Sequence, residues 1–237
     1  MLKTWSIFKR EVASYFLSPI AYVMGAVFLL LSGYFFSIIL MATRSAGLQG
    51  TFGNMAVTFM FVAPALTMRL LAEEKKLGTD ELLLTSPVSI TSIVVGKYLA
   101  SVLTYLVFLA ATLVYVAVLR HYGNPDMGPI YSGYLGMSLL GASCLAAGTF
   151  ASALTENQMV AGVVGFGILL LFWILGWVSA AVPGPVGHAI SMLSILKHFD
   201  DFQKGIMDLS HIIFYLSFIF VFLFLAVRTI DSRRWSA

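Results

Sequence analysis

Six long stretches without Asp, Glu, Lys or Arg constrain the fold of this chain more than any other feature. Each is longer than the roughly 18 residues that suggest a membrane-spanning helix. Only 11% of the residues are charged, against about 25% in ordinary soluble domains. The stretches cover residues 12–43, 45–68, 98–119, 127–155, 157–196 and 209–227. The sequence therefore predicts an all-α, polytopic membrane protein with six transmembrane helices in a single domain, residues 1–237.

Breaks and polar segments set the expected bounds of these spans. We expect them at about residues 20–40, 55–71, 93–119, 131–154, 159–182 and 211–227, with a Gly-rich external loop at 41–54. Pro64 lies near the middle of the second span, where proline removes a backbone hydrogen bond and kinks a helix. It is either a packing kink or a hinge. Gly148 and Ser152, four residues apart, predict close helix packing in the fourth span.

The distribution of basic residues predicts the orientation. If both termini are cytoplasmic, ten of the 14 Lys and Arg residues lie inside and four outside. The four outside are Arg44, Arg120, Lys197 and Lys204. The positive-inside rule then puts the segment between spans two and three in the cytoplasm. The first apolar run is too long for a signal peptide, so it is interpreted as a span. We expect a bacterial-type inner (cytoplasmic) membrane.

The N-terminal segment, residues 1–18, has the pattern of an amphipathic helix. At 100° per residue, Trp5, Phe8 and Val12 share one arc with two further aromatic residues, while Arg10 lies on the opposite arc. Beside a membrane this pattern predicts an interfacial helix, with its aromatic side towards the lipid and its basic side towards the water.

Segment 69–92 contains signals for a short helix between two breaks. Gly78 is suited to a left-handed helix C-cap, and Thr79 can cap a new helix. Ser86-Pro87 ends that helix, because the residue before proline is disfavoured in the α region. The sequence thus predicts a cytoplasmic helix at 79–85.

The composition of the same segment suggests a docking element. Three consecutive leucines, 82–84, cannot all face one way on so short a helix, and they supply an apolar anchor with a charged rim. An ordinary solvated loop is the alternative. The residues of this predicted docking element are Glu73, Glu74, Lys75, Lys76, Gly78, Thr79, Asp80, Glu81, Leu82 and Leu83.

A second amphipathic element is expected in residues 183–210. Apolar residues recur every three or four positions across 188–208: Ile190, Leu193, Leu196, Phe199, Phe202 and Ile206. The element is too short and too polar to span, so it should lie on the outer surface or dip partly into the membrane. Several metal-binding residue types lie close by: His188, His198, Asp200, Asp201 and His211. Their spacing matches no ligand motif, so we interpret them as a polar helix face and expect no metal.

The chain lacks the common catalytic motifs. Gly96-Lys97 resembles the end of the phosphate-loop signature G-x-x-x-x-G-K-[ST]. That signature requires Gly at position 91 and Ser or Thr at position 98, but the chain has Thr and Tyr there, so it does not match. We therefore expect no enzyme activity and no cofactor in this chain. No charged residue is expected deep in a span, which argues against an ion pump with a buried carboxylate relay. Cys144 is the only cysteine, so no intrachain disulfide is possible.

Three blocks, residues 69–100, 10–23 and 193–217, resemble permeases of the ABC-2 transporter class. The nearest resemblance is to the gliding-motility-associated (Gld-type) branch. It implies six spans, two transmembrane subunits per transporter, and a separate cytoplasmic ATPase that holds ATP and Mg. This ATPase would dock on the N-terminal helix and on the helix between spans two and three. The resemblance thus implies that the docking element is the ATPase-coupling segment, with Glu73, Glu74, Lys75, Lys76, Gly78, Thr79 and Glu81 as coupling residues.

The resemblance implies a permease subunit of an ATP-driven exporter, paired with a second copy or a paralogue in the lipid bilayer. No nucleic-acid partner is expected. The alternative is a membrane scaffold that recruits an ATPase for mechanical or assembly work, as in gliding-type machinery. An intramembrane enzyme is a third and weaker hypothesis. The cargo stays open.

Overall fold

The computed structural model describes residues 2–78, 89–182 and 184–233, and in these ranges the chain forms helices and turns without any strand. The described helices are α1 (Leu2–Leu17), α2 (Pro19–Thr43), α3 (Gln49–Thr67), α4 (Ala72–Lys76), α5 (Ile90–Ala111), α6 (Leu113–Tyr122), α7 (Met127–Leu154), α8 (Gln158–Ala181), α9 (Pro185–Ser191), α10 (Ile195–Gln203) and α11 (Leu209–Arg233).

Among the described residues, six helical stretches are long and apolar enough to cross a membrane, which agrees with the predicted number of spans. Helices α3 and α4 count together as one stretch, and so do α5 and α6. Hydrogen bonds to α7 place the short helices at opposite ends of the bundle. Near the end of α7, Ser152 accepts from the backbone of Leu71 and Ala72, so α4 lies at this end together with α1, and we call it the α1 end. Near the start of α7, Ser132 donates a 2.6 Å hydrogen bond to Phe202 O, so α10 lies at the other end together with α9, and we call it the α10 end.

Helix α7 forms the centre of the bundle together with α3. In the most apolar stretch of α7, 78% of the residues are buried, and in that of α3–α4 the share is 72%. The other four spans have 17–33% buried. The outer spans thus present apolar side chains outward, as helices facing lipid or another subunit do.

Glycines let neighbouring helices approach α7 closely. A Cβ atom at Gly141 would lie 2.2 Å from the ring of Tyr105, and one at Gly148 would lie 2.1 Å from Thr67 Oγ1. The Tyr105 hydroxyl donates a 2.7 Å hydrogen bond to Met137 O, which fixes the ring over Gly141. These contacts confirm the predicted close packing around Gly148.

Helix α3 begins earlier than the sequence suggested. The expected loop 41–54 ends at Leu48, and Gln49 starts the helix although Gly50 and Gly53 follow. Glycine in a helix costs only about 1 kcal/mol. Burial of Phe52, which is 1% exposed, outweighs that cost. The expected single helix over 188–208 is also wrong, because the chain forms two helices.

The break between α9 and α10 lies at residues 192–194. Ser194 adopts the extended conformation of an N-cap, which ends one helix direction and starts another. Phe199 and Phe202 of the predicted apolar stripe are buried, while Leu193 in the break is 52% exposed. The periodicity therefore identified the buried face of α10 but missed the turn before it.

We expect Gly141→Ala to destabilise the protein, because the added methyl group overlaps a ring that cannot move away. Overpacking of this kind costs about 1–3 kcal/mol. Gly167→Ala is the matched control in α8, because a Cβ there would have nothing within 4 Å. Thermal unfolding in detergent should show a lower midpoint for Gly141→Ala alone. Equal midpoints for the two variants would contradict the close contact.

Candidate functional site

Helix α1 packs along the start of α5 through a face that includes an acidic residue. Ile7 is buried, and Phe8, Glu11 and Tyr15 are half-buried on the same side. A Cβ atom at Gly96 of α5 would lie 3.1 Å from Ile7 Cγ2, so the two helices are in close contact.

The contact face of α1 therefore differs from the arc that the aromatic residues predict. Trp5 is 55% exposed and Phe16 is 40% exposed, while Phe8 and Val12 are half-buried. Close packing on a glycine of α5 has rotated the helix so that Glu11 faces the bundle.

Glu11 belongs to an ion cluster of four residues that joins α1, α4 and α5. Lys97 Nζ lies 2.9 Å from Glu11 Oε1 and 2.9 Å from Glu74 Oε1. Arg10 Nη2 lies 3.1 Å from Glu11 Oε1 and 3.2 Å from Glu74 Oε1. Each carboxylate thus contacts two cations, and the four charges compensate one another. We call Arg10, Glu11, Glu74 and Lys97 the ion cluster.

Lys97 is the most buried member of the ion cluster, with a side chain only 2% exposed. It lies seven residues into α5, about 10 Å along the helix. Lys97 therefore lies within the third span but near its start, not deep in the span. Because removing one partner of a buried ion pair leaves the other uncompensated, such a loss typically costs about 3–5 kcal/mol.

The serine of the predicted small-residue pair holds the turn between α3 and α4. Ser152 Oγ accepts hydrogen bonds of 3.0 Å from the backbone N–H groups of Leu71 and Ala72. It donates one of 3.1 Å to Met68 O. The polar backbone groups released where α3 ends are thus satisfied by α7, as required away from water.

The other predicted coupling residues of α4 have separate partners. Lys75 Nζ donates to Ala153 O of α7. Glu73 lies 3.4 Å from Arg69, whose Nε also donates a 3.3 Å hydrogen bond to Gln158 at the start of α8. Helix α4 is thereby connected to the ends of two spans.

The remaining predicted coupling residues divide into exposed and undescribed ones. Lys76 is exposed at the end of α4. Gly78 has φ +67°, so the predicted left-handed conformation is confirmed. The other five, Thr79, Asp80, Glu81, Leu82 and Leu83, lie outside the described residues.

A cavity of about 570 Å³ lies beside the ion cluster, between α1, the start of α2 and the ends of α3 and α4. Tyr15 lines it and donates a 2.8 Å hydrogen bond to Leu66 O of α3. Burial raises the pKa of Tyr15, with the charge of Glu11 acting in the same direction, so the hydroxyl keeps its proton. Tyr15 thus joins α1 to α3 in addition to the contacts of the ion cluster.

Comparison with known proteins agrees with this architecture. The family model for ABC-2 family transporter protein matches residues 20–230, which include all six spans. The chain belongs to the ABC-2 transporter family. It is a multi-pass membrane protein and the permease component of an ABC transporter. No curated protein matches its sequence. Helix α1, with Arg10 and Glu11, lies before the matched region.

Sequence reasoning missed Glu11 and Lys97 as partners in this ABC-2 permease. A signal for Glu11 was present, because it lies three residues after Phe8 and four before Tyr15 and therefore next to both on a helical wheel. Lys97, the last charge before a long apolar run, falls inside the expected span 93–119, but no partner was predicted for it. A lysine inside a span usually has a partner, and that rule predicts a nearby carboxylate without identifying it.

Two histidines at the α10 end, His198 and His211, are connected by a row of three hydrogen bonds. His198 Nε2 lies 2.9 Å from Met192 O, and His198 Nδ1 lies 2.7 Å from His211 Nδ1. His211 Nε2 lies 2.9 Å from Asp201 Oδ2. Among the described residues, no group of three or more His, Cys, Asp or Glu side chains could hold a metal ion. His188 and Asp200 take no part in these three hydrogen bonds.

The three hydrogen bonds require three protons. Met192 O and the Asp201 carboxylate can only accept, so the Nε2 atoms of His198 and His211 both donate. A single proton then lies between the two Nδ1 atoms, and either ring can carry it. A second proton there would place two N–H groups against each other. These hydrogen bonds thus connect α10 to the start of α11.

We expect Lys97→Met to lower the stability of the permease by about 3–5 kcal/mol, because two partly desolvated carboxylates lose their shared cation. The thermal unfolding midpoint in detergent measures the loss, and Lys76→Met is the exposed control. Adding Glu11→Gln to Lys97→Met should recover part of this loss, because it removes one of the two carboxylates that then share the exposed Arg10. If Lys97→Met unfolds at the temperature of Lys76→Met, the ion cluster does not hold the three helices.

Acidification should loosen α10. Burial lowers the pKa of His198 from its ordinary value of 6.5; the bond to Met192 O opposes the shift, and the charges of His211 and Lys197 favour it. The unfolded form therefore binds a proton more readily, and stability falls as the pH drops below about 6.5. Asp201 does not contribute to the change in stability in this pH range. Burial raises its pKa, but hydrogen bonds from His211 and Lys204 outweigh this and lower it from 3.8.

Hydrogen exchange of the α10 amides at about pH 7 and about pH 5, corrected for intrinsic rates, measures this effect. We expect lower protection at the acidic pH in the native protein. His198→Gln, which cannot be protonated, should show a smaller change, and His188→Gln should behave like the native protein. If His198→Gln loses as much amide protection at the acidic pH as the native protein does, another group causes the pH effect.

Proposed function

We propose that this chain is the permease subunit of an exporter that is driven by a separate cytoplasmic ATPase. Within the ABC-2 family we assign it to the gliding-associated (Gld-type) branch. The transporter would contain a second copy or a paralogue of the chain, and the α1 end would face the cytoplasm. The observation that carries the proposal is the ion cluster, because it joins α1 to α4 and the third span. These are the elements on which an ATPase is expected to act.

Hydrogen bonds and ion pairs give force a path from α4 into the spans. Motion of a bound ATPase would push on residues 79–85 and on α4. Ser152 would carry the displacement into α7, and the contact of Arg69 with Gln158 would carry it into α8. Spans two and five would then tilt at a dimer seam, with span four moving beside them.

Pro64 is the proposed hinge of this motion. It is buried in α3, four residues before the turn that Ser152 holds. Because proline leaves one bond missing from the helical ladder, bending there is easier than elsewhere in the span.

The two glutamates of α4 should differ in effect. Glu74 is 19% exposed and contacts both Arg10 and Lys97. Glu73 is 39% exposed and pairs with Arg69, and such an exposed pair contributes only about 0–1 kcal/mol. Glu74 is therefore the residue whose loss should uncouple ATP hydrolysis from transport, and Glu73 is its matched control.

Affinity purification from native membranes in mild detergent, with every co-purifying chain identified, tests the proposal. We expect an ATPase with a phosphate loop to accompany the native chain and to be lost with Leu83→Asp. A charge at an apolar anchor removes contacts whose truncation costs about 1–3 kcal/mol. Leu83→Met, which keeps the apolar volume, is the control and should retain the ATPase.

Coupling is measured on the reconstituted complex. Glu74→Gln should keep the ATPase bound but lose the stimulation of its hydrolysis rate by the permease, whereas Glu73→Gln should keep both. Full ATPase binding and activity with Leu83→Asp would contradict a docking role of segment 69–92. An ATPase that binds but is never stimulated by the native permease would favour the scaffold hypothesis.

A further inference from the structure

A second cleft lies at the α10 end, opposite the ion cluster. It has a volume of about 600 Å³ and separates the last turns of α8 from α9 and α10. Its aromatic and polar lining includes Trp173, Trp177, His188, Ser194, Lys197 and Asp200. None of these residues belongs to the proposed coupling path.

The floor of the cleft contains a buried hydroxyl without a partner. Ser194 is 0% exposed, and its Oγ forms no hydrogen bond to any part of the chain that the structure describes. It occupies the N-cap position of α10 but makes no side-chain capping bond. An unsatisfied buried polar group costs about 1–3 kcal/mol. A ligand that bonds to this hydroxyl would remove the cost.

The helix end beside Ser194 favours a negative ligand group. The first amides of a helix have no partner inside it, and its N-terminus carries a partial positive charge. Lys197 lies in the first turn of α10 and also lines the cleft. The hydroxyl, the amides and the ammonium group suit a phosphate.

A carboxylate one turn further along suits a positive group. Asp200 lines the same cleft, three residues after Lys197 and about 4.5 Å further along the helix. Neither side chain forms an ion pair with another described residue. Burial raises the pKa of Asp200, against the lowering effect of the charges on Lys204 and Lys197. The carboxyl group is thus partly desolvated without a close cation.

Two tryptophans indicate what the charged group is attached to. Trp173 and Trp177 have ring centroids 5.2 Å apart at the end of α8, and Trp177 is 66% exposed. Tryptophan is enriched where a span meets the membrane surface, at the level of the lipid headgroups. A lipid bound there would have its headgroup beside α10 and its glycerol region beside the indole rings.

We propose that this cleft binds the headgroup of a zwitterionic phospholipid with a primary amine. Its phosphate would lie at the N-terminus of α10 with Ser194 and Lys197, and its amine would pair with Asp200. The inference concerns binding alone and does not depend on the proposed ATPase coupling.

Tryptophan fluorescence of the purified full-length chain tests the assignment. A Trp5→Phe, Trp235→Phe background leaves the two cleft tryptophans as reporters. Detergent-solubilised protein is titrated with phosphatidylethanolamine, phosphatidylcholine, phosphatidylglycerol and soluble O-phosphoethanolamine. We expect phosphatidylethanolamine to bind about fivefold more tightly than the other two lipids, the size expected for one exposed ion pair.

Variants of the charged residues should change this preference in defined ways. Asp200→Asn should abolish the preference for phosphatidylethanolamine over phosphatidylglycerol, and Asp200→Lys should reverse it. Lys197→Gln should weaken binding of all three lipids. Lys204→Gln, at the other end of α10, is the control and should bind like the native protein. Lys197 and Asp200 are exposed, so these variants should fold, as gel filtration can verify.

The hydroxyl provides an independent test. Ser194→Ala removes an unsatisfied group, so it should raise the unfolding midpoint without lipid and reduce the further rise that phosphatidylethanolamine produces. Equal binding of the three lipids by the native chain overturns the proposal. So does a preference that survives Asp200→Asn, which places the lipid elsewhere. Soluble O-phosphoethanolamine binding as tightly as the lipid overturns the lipid assignment.

Discussion

The buried ammonium group of Lys97 is the interaction on which the α1 end of this permease depends. A charge in the interior of a bundle is stable only when opposite charges compensate it. Here the compensation comes from two carboxylates on different helices, Glu11 and Glu74. The third span therefore reaches its native environment only when α1 and α4 are both in place. A helix that composition alone would assign to the membrane surface becomes part of the bundle.

The centre of the bundle depends on a different constraint, the absence of side chains at two positions of α7. Gly141 and Gly148 leave room for Tyr105 and Thr67. Between helices in lipid, close packing and hydrogen bonds supply the attraction that the hydrophobic effect cannot. Ser152 lies one helical turn after Gly148 and forms hydrogen bonds with the backbone where α3 ends. The packing of the core and the position of α4 are thus parts of one contact surface.

These two constraints explain what the sequence could predict. The positions of the spans can be predicted from the length of the apolar stretches. A helix cap such as Ser18, whose side chain accepts a hydrogen bond from Ile20 N–H, can be predicted from the neighbouring residues. The pairing of Glu11 with Lys97 joins residues 86 positions apart, and no local pattern specifies it. The rotation of α1 was missed for the same reason. The aromatic arc was assigned to lipid, whereas contact with Gly96 of another helix decides which face is buried.

The two ends of the bundle use polar groups in opposite ways. At the α1 end, four charges compensate one another and hold three helices in fixed register, as the proposed transmission of force requires. At the α10 end, His198 and His211 are linked through a single proton, while Lys197 and Asp200 have no ion-pair partner among the described residues. Charges without partners keep their capacity to bind a ligand. The proposed ATPase coupling requires a rigid α1 end, and the proposed lipid site requires charges at the α10 end that are available to a ligand. The placement of charges along this bundle is consistent with both proposals.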